Sequence, residues 1–118
     1  MRKFLLGLVA LSVVTTGLVF AADVGPKADV AAVRAAQLQK IKGGQTGDVH
    51  VVGNYALVQW YWGEASGAAA FKRSSGERWS RILAGGGASP VAVLVAAGIP
   101  ASIARQLCSG WPQGHSPC

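Results

Sequence analysis

From residue 49 to residue 84 the chain is a succession of short runs rich in Val, Tyr, Trp and Phe. They are separated by Gly53-Asn54, by Gly63-Glu64-Ala65-Ser66-Gly67 and by Ser74-Ser75-Gly76. Gly, Asn and Ser at close, regular spacing are turn formers, and β-branched and aromatic residues between them are strand formers, so this stretch predicts hairpins rather than helices. The expected strands are 49–52, 55–62, 68–73 and 78–84, joined as an antiparallel meander. In the second of them, alternation puts Ala56, Val58, Trp60 and Trp62 on one face and Tyr55, Leu57, Gln59 and Tyr61 on the other, and the first set is expected to face the core.

The flanks change to a helical period. Asp29 is placed as an N-cap, and Val30, Val33, Leu38 and Ile41 recur near 3.6-residue spacing, leaving Arg34, Gln37 and Lys40 for water. Gly43-Gly44 stops this helix, and 43–48 is read as a flexible link. After the fourth strand, Gly85-Gly86-Gly87 closes the sheet. Ser89 then serves as N-cap with Pro90 at the first helical position of a short apolar helix over 91–97. Gly98 ends it, and Pro100 starts another whose Ile103, Ala104 and Leu107 face inward before Gly110. The expected fold class is therefore α+β: an N-terminal helix, a four-stranded antiparallel meander and two short C-terminal helices, in a cystatin-like or NTF2-like layout. The core is expected around Leu38, Ile41, Val58, Trp60, Trp79, Leu83, Leu94 and Leu107.

Ahead of all this, Arg2 and Lys3 precede an apolar run over 4–20 and the small residues Ala21 and Ala22. That is the layout of a secretory signal, with cleavage expected between Ala21 and Ala22 and one small domain over 22–118. The alternative is an uncleaved anchor, since a run of 17 residues approaches the length that crosses a bilayer. The expected location is periplasmic or secreted. Loss of Arg2 and Lys3 lowers the formal charge from +6 to +4. A mildly basic exported domain favours a protein partner or an anionic envelope component over nucleic acid, and membrane contact only through such a partner. The two cysteines, Cys108 and Cys118, are expected to form a disulfide that pins the tail 109–117.

With five acidic residues and two histidines, no nucleophilic or paired-carboxylate constellation is legible, and the chain is read as non-enzymatic. Gly63-Glu64-Ala65-Ser66-Gly67 places Ser66 one position too late for a nucleophile elbow. Asp48 and Glu64 are both assigned to loops. No cofactor is implied, and no metal site either, because a disulfide would consume Cys108 and Cys118 and leave His115 and His50 isolated. The glycine triplet between a strand and a helix has the location of an anion cradle, yet lacks the P-loop lysine and reads as a tight turn. What remains is a basic, aromatic hairpin region: Trp60, Tyr61, Trp62 and Trp79 with Lys72, Arg73, Arg78 and Arg81. Tyr61, Arg73, Arg78 and Arg81 are the candidate ligand- or partner-binding residues, because a phenol or a charge is seldom fully buried. In a regular strand Arg78 and Arg81 point to opposite faces, so a bulge or a strand end is required to bring both to one site.

Several motifs in this stretch carry a resemblance. Gly53-Asn54-Tyr55-Ala56-Leu57-Val58, Trp62-Gly63-Glu64 with Gly67, Trp79 with Ile82-Leu83-Ala84-Gly85-Gly86, and Ala97-Gly98-Ile99-Pro100 with Ala104 and Leu107 resemble small exported bacterial proteins called copper uptake system-associated proteins. The resemblance runs from about residue 51 to residue 107. It implies a single α+β domain and an accessory role beside a transport system, with no catalytic residue to carry over. Members often carry Cys at the position of Ala84, a thiol this chain lacks. The functional expectation is a non-enzymatic accessory or binding protein associated with copper uptake; the alternative is a secreted inhibitor or envelope-surface binder that uses the basic hairpin, and a small hydrolase stands behind both.

Overall fold

The computed structural model describes residues 23–75 and 78–118. The signal-like segment, its expected cleavage point and Gly76 of the third turn lie outside the described residues. The architecture is α+β, in the order α1 (Lys27–Lys40), β1 (Gln45–Val52), β2 (Tyr55–Trp62), β3 (Ala65–Arg73), β4 (Trp79–Gly86), α2 (Val91–Ala96) and α3 (Ala101–Leu107). The strands form one open antiparallel sheet in sequence order. Among the described residues no helix is long and apolar enough to cross a membrane.

Both hairpins around β2 close with two-residue loops, Gly53-Asn54 and Gly63-Glu64. Gly53 and Gly63 have φ of 59° and 62°, the left-handed conformation that such short loops demand and that a Cβ penalises. The second loop is shorter than expected, because Ala65, Ser66 and Gly67 belong to β3 and pair with Trp62, Tyr61 and Trp60. Gly67 has to be glycine: a Cβ there would sit 2.0 Å from the carbonyl oxygen of Gly85 on β4. The expected flexible link is also shorter, since β1 already starts at Gln45, its first residues paired with Tyr61 and Trp60.

The sheet is covered on both faces, where the alternation of β2 had suggested one. On one face Val30 and Val33 of α1 pack on Val49, Val51, Ala56, Val58, Ala69, Phe71 and Trp79, with Trp60 at the margin. On the other, α2, α3 and the link between them bring Leu94, Ile99, Ala104 and Leu107 onto Leu57, Ala68 and Ala70. So Leu57, assigned to the wet face, is fully buried, and Trp62, assigned to the core face, is 48% exposed beyond the end of the helical cover. Leu83 packs with the second cluster rather than the first.

In α1 the buried positions are Val30, Val33 and Gln37, a regular i, i+3, i+7 stripe. That stripe excludes Leu38, which is 37% exposed, and takes in Gln37, which had been assigned to water. Ile41, just past the helix, is buried as expected. The helix starts earlier than placed: Pro26 occupies the N-cap position and Asp29 lies within the first turn, where a carboxylate favours the helix dipole. Pro90 and Pro100 are likewise cap residues, with no side-chain cap from Ser89. Ser89 is buried instead, and its N–H donates to the carbonyl of Pro117 at 2.6 Å.

That bond belongs to a tail that packs against the second apolar cluster through Cys108, Trp111 and Cys118. Cys108 and Cys118 are bonded, with Cα atoms 5.7 Å apart. Within the loop they close, the Trp111 indole stacks on buried His50 of β1 at 3.7 Å and donates through Nε1 to the carbonyl of Leu107. Gln59 Nε2 donates to the carbonyl of His115, and Pro117 is buried. The disulfide thus holds a lid over the second apolar cluster, and by the loop-entropy argument contributes at most about 3 kcal/mol.

These assignments predict a sharp contrast in denaturant unfolding. Phe71→Ala removes a ring that is 1% exposed at the centre of the α1 face, and should cost about 3–5 kcal/mol. Leu38→Gln should change stability by no more than about 0.5 kcal/mol. A loss at Leu38 comparable to that at Phe71 would restore Leu38 to the core.

Candidate functional site

The four candidate residues of the hairpin region go to three separate places. Arg73, at the end of β3, is a clamp. Its guanidinium donates to Asp29 Oδ1 of α1 at 2.8 Å, to Asn54 Oδ1 and to the Gly53 carbonyl, each at 3.2 Å, and lies 5.0 Å from the centroid of the Trp79 ring. Planar geometry and several donors let one Arg tie the start of α1 to the β1–β2 turn. A second pair does the same at the other side of the helix: Arg34 binds Asp23 at 2.9 Å and reaches Thr46 Oγ1 and the Gly47 carbonyl on β1. Both arginines are thereby committed to fixing α1 on the sheet.

Arg78 and Arg81 come together beside β4. Arg78 precedes the strand, and the β3–β4 pairing shifts between Ala70 and Phe71, so that Phe71 faces Arg81 and Ile82 is the extra residue. The bulge lies beyond both arginines, so it is the position of Arg78 outside the strand end that lets it reach the same groove as Arg81. A groove of about 740 Å³ runs between α1 and β4, with Lys40, Arg78, Trp79 and Arg81 on its walls and Ala32, Ala35 and Ala36 along the helix side. Arg81 is oriented from inside: its Nη1 donates to Oε1 of the buried Gln37 at 3.4 Å. Gln37 Nε2 and Trp60 Nε1 are buried donors without a hydrogen-bond acceptor among the described residues. No acidic residue among those described lines the groove, and Asp23 and Asp29 are held in the ion pairs of Arg34 and Arg73. Three cations with no acidic residue lining the groove among those described make a positive surface.

Tyr61 lies on the opposite face. With Gln59 it stands between two adjoining clefts bounded by the tail, of about 510 and 180 Å³. The larger adds Asp48, Gln113 and His115, and the smaller adds Ser66 and Ser116. Asp48 is thus on a strand and in a cleft rather than in a loop. The cleft presents a carboxylate, an imidazole, a phenol and two amides, a set suited to hydrogen-bonding a polar ligand. The glycine triplet is not an open anion cradle: Gly85 and Gly86 end β4, and the Gly87 N–H donates to the Ser66 carbonyl at 3.0 Å. Among the described residues no group of three or more His, Cys, Asp or Glu is placed to hold a metal ion.

Lys40 at the groove, the buried Gln37 that holds Arg81 from behind, and Gln59, Gln113 and Asp48 in the cleft were not among the residues singled out from the sequence. A spacing of 44 residues separates Gln37 from Arg81, and no local pattern reports a contact at that range. The buried stripe of α1 was the available signal for Gln37. Comparison with known protein families, with curated proteins and with solved structures finds no match.

The division of labour among the arginines is measurable. Arg73→Ala strands a partly buried carboxylate and removes three hydrogen bonds, and should lower unfolding free energy by about 1–3 kcal/mol. Arg78→Ala, at an exposed position with no such partners among the described residues, should stay within about 0.5 kcal/mol of the parent. Equal losses in denaturant titration would mean that Arg78 too is structural.

Proposed function

We propose that the protein is a non-enzymatic, exported binding or accessory domain that engages an anionic partner in the groove between α1 and β4. The observation that carries this reading is the convergence of Lys40, Arg78 and Arg81 on one groove with no acidic side chain lining it among the described residues. Charges so arranged steer a partner of opposite sign and make its binding salt-dependent. The secretory layout at residues 1–22 supports an envelope or extracellular partner. The motif resemblance supports a place beside a bacterial copper uptake system, as an accessory rather than as a carrier of the metal. The inhibitor or surface-binder reading uses the same groove and differs only in what occupies it.

A hydrolytic reading draws on one observation: Asp48 and His115 line the same cleft. A general base and acid in one cavity is a requirement of that chemistry, although not a sufficient one. Its mark would be turnover of an ester or glycoside substrate that disappears in His115→Ala.

The binding reading is tested by immobilising the protein with an envelope fraction at low and at high salt. Wild type should retain material at low salt and release it at high salt, and the Lys40→Glu, Arg78→Glu double variant should retain about tenfold less while melting at the same temperature. A transporter polypeptide in the retained material supports the accessory reading, and an anionic polymer supports the surface-binder reading. Retention that is identical in the double variant contradicts the groove as the site.

A further inference from the structure

The two edges of the sheet are treated differently. A strand edge carries a row of backbone N–H and C=O groups that point away from the sheet, and an edge left open invites another strand. The outer edge of β1 is covered: the Val24 N–H donates to the Val49 carbonyl at 2.9 Å, the Val51 N–H donates to the Val24 carbonyl at 2.7 Å, and the Val49 N–H is capped by Asp23 Oδ1 at 2.9 Å. Val24 and His50 form a parallel bridge. The other edge, β4, pairs with β3 and with no further strand among the described residues. It is also where the basic groove lies.

We propose that β4 is a docking strand, and that its ligand is an extended acidic segment of a partner protein that adds to the sheet as a fifth strand. This rests on the groove reading above and specifies its occupant. An added strand would be hydrogen-bonded along β4, and its side chains on one face would recur about every 7 Å, in step with the alternation of β4 itself. On the α1 side those side chains meet Arg81, with Arg78 and Lys40 beside it, so acidic residues belong there. On the other side they meet Ile82 and Leu83, which are half-buried against the second apolar cluster, so apolar residues belong there. The segment that fits is therefore one with acidic and apolar residues in alternation. The same charges disfavour a second copy of this chain, whose β4 would set Arg81 against Arg81 or Arg78. They also keep the edge unpaired until an acidic strand arrives.

The test uses the whole chain and an acetylated peptide of alternating Glu and Val, eight residues long to match β4. Its companion is the same peptide methylated at every backbone nitrogen, which keeps the charges and cannot donate to a strand edge. A third probe is inorganic polyphosphate, an anion without a peptide backbone. Strand addition predicts that the parent peptide binds, that the methylated peptide binds at least about tenfold more weakly, and that amides of β4 become protected from hydrogen exchange on binding. The Arg78→Glu variant, whose fold is checked by its melting temperature, should lose the parent peptide. If the two peptides bind alike, or polyphosphate binds as tightly and displaces the peptide, the groove is a general anion site and strand addition is wrong. If no probe binds, both the docking strand and the groove reading are wrong, and the cations serve only to keep the edge from aggregating.

Discussion

Everything in this fold follows from a sheet whose two central strands are apolar on both faces. In β2, Ala56 and Val58 face one way and Leu57 the other, and all three are fully buried; in β3 the same holds for Ala69 and Phe71 against Ala68 and Ala70. A half-wet antiparallel sheet would have needed polar residues at one of those two sets. Two covers are required, and a short chain has to make both. The long helix α1 supplies one, and it is held on the sheet by two arginine clamps at opposite sides. The second cover is assembled from two short helices and a tail, and here the disulfide, the His50–Trp111 stack and the Gln59–His115 bond do what a long helix does on the other face. With short pieces in place of a helix, cross-links take over part of the ordering that packing alone would provide.

The functional surfaces are by-products of that arrangement. A single α1 cannot span the full width of the sheet, so a groove is left at β4, and the tail that closes the opposite face leaves the Tyr61 cleft along its border. Charge is distributed to match. Two of the acidic residues are held against Arg34 and Arg73 at structural contacts, whereas Lys40, Arg78 and Arg81 remain together at the groove. The contrast between the edges has the same origin, since the chain segment that leads into α1 runs along β1 and caps it, and the segment that follows β4 turns beneath the sheet.

Much of the architecture was legible in the residues. The turn glycines marked the hairpins, β2 was placed at its observed ends, and the prolines and glycines near 90, 98 and 100 bracketed the two short helices. The second buried face was missed because strict alternation in β2 was read as dry against wet, while the unbroken run Ala68-Ala69-Ala70-Phe71 in the next strand already signalled burial on both sides. Leu38 and Gln37 were exchanged because hydrophobic type was weighed above position, and the stripe set by Val30 and Val33 selects Gln37. The candidate site was legible only in part. Charge and aromatic content pointed to the right strands, but which arginine clamps and which remains available depends on contacts such as Arg73 with Asp29, 44 residues apart. Such pairings are fixed by tertiary packing and leave no trace in local spacing.

Among the described residues the sheet has one capped edge, along β1, and one open edge, along β4. Native-state hydrogen exchange of the isolated protein, read residue by residue, tests it directly. The Val49 and Val51 amides, bonded to Asp23 and Val24, should exchange slowly, while the amides of β4 that point away from β3 should exchange orders of magnitude faster, at rates near those of an unfolded chain. Uniformly slow exchange along both edges of the monomer would show that β4 is already covered, and would contradict the account.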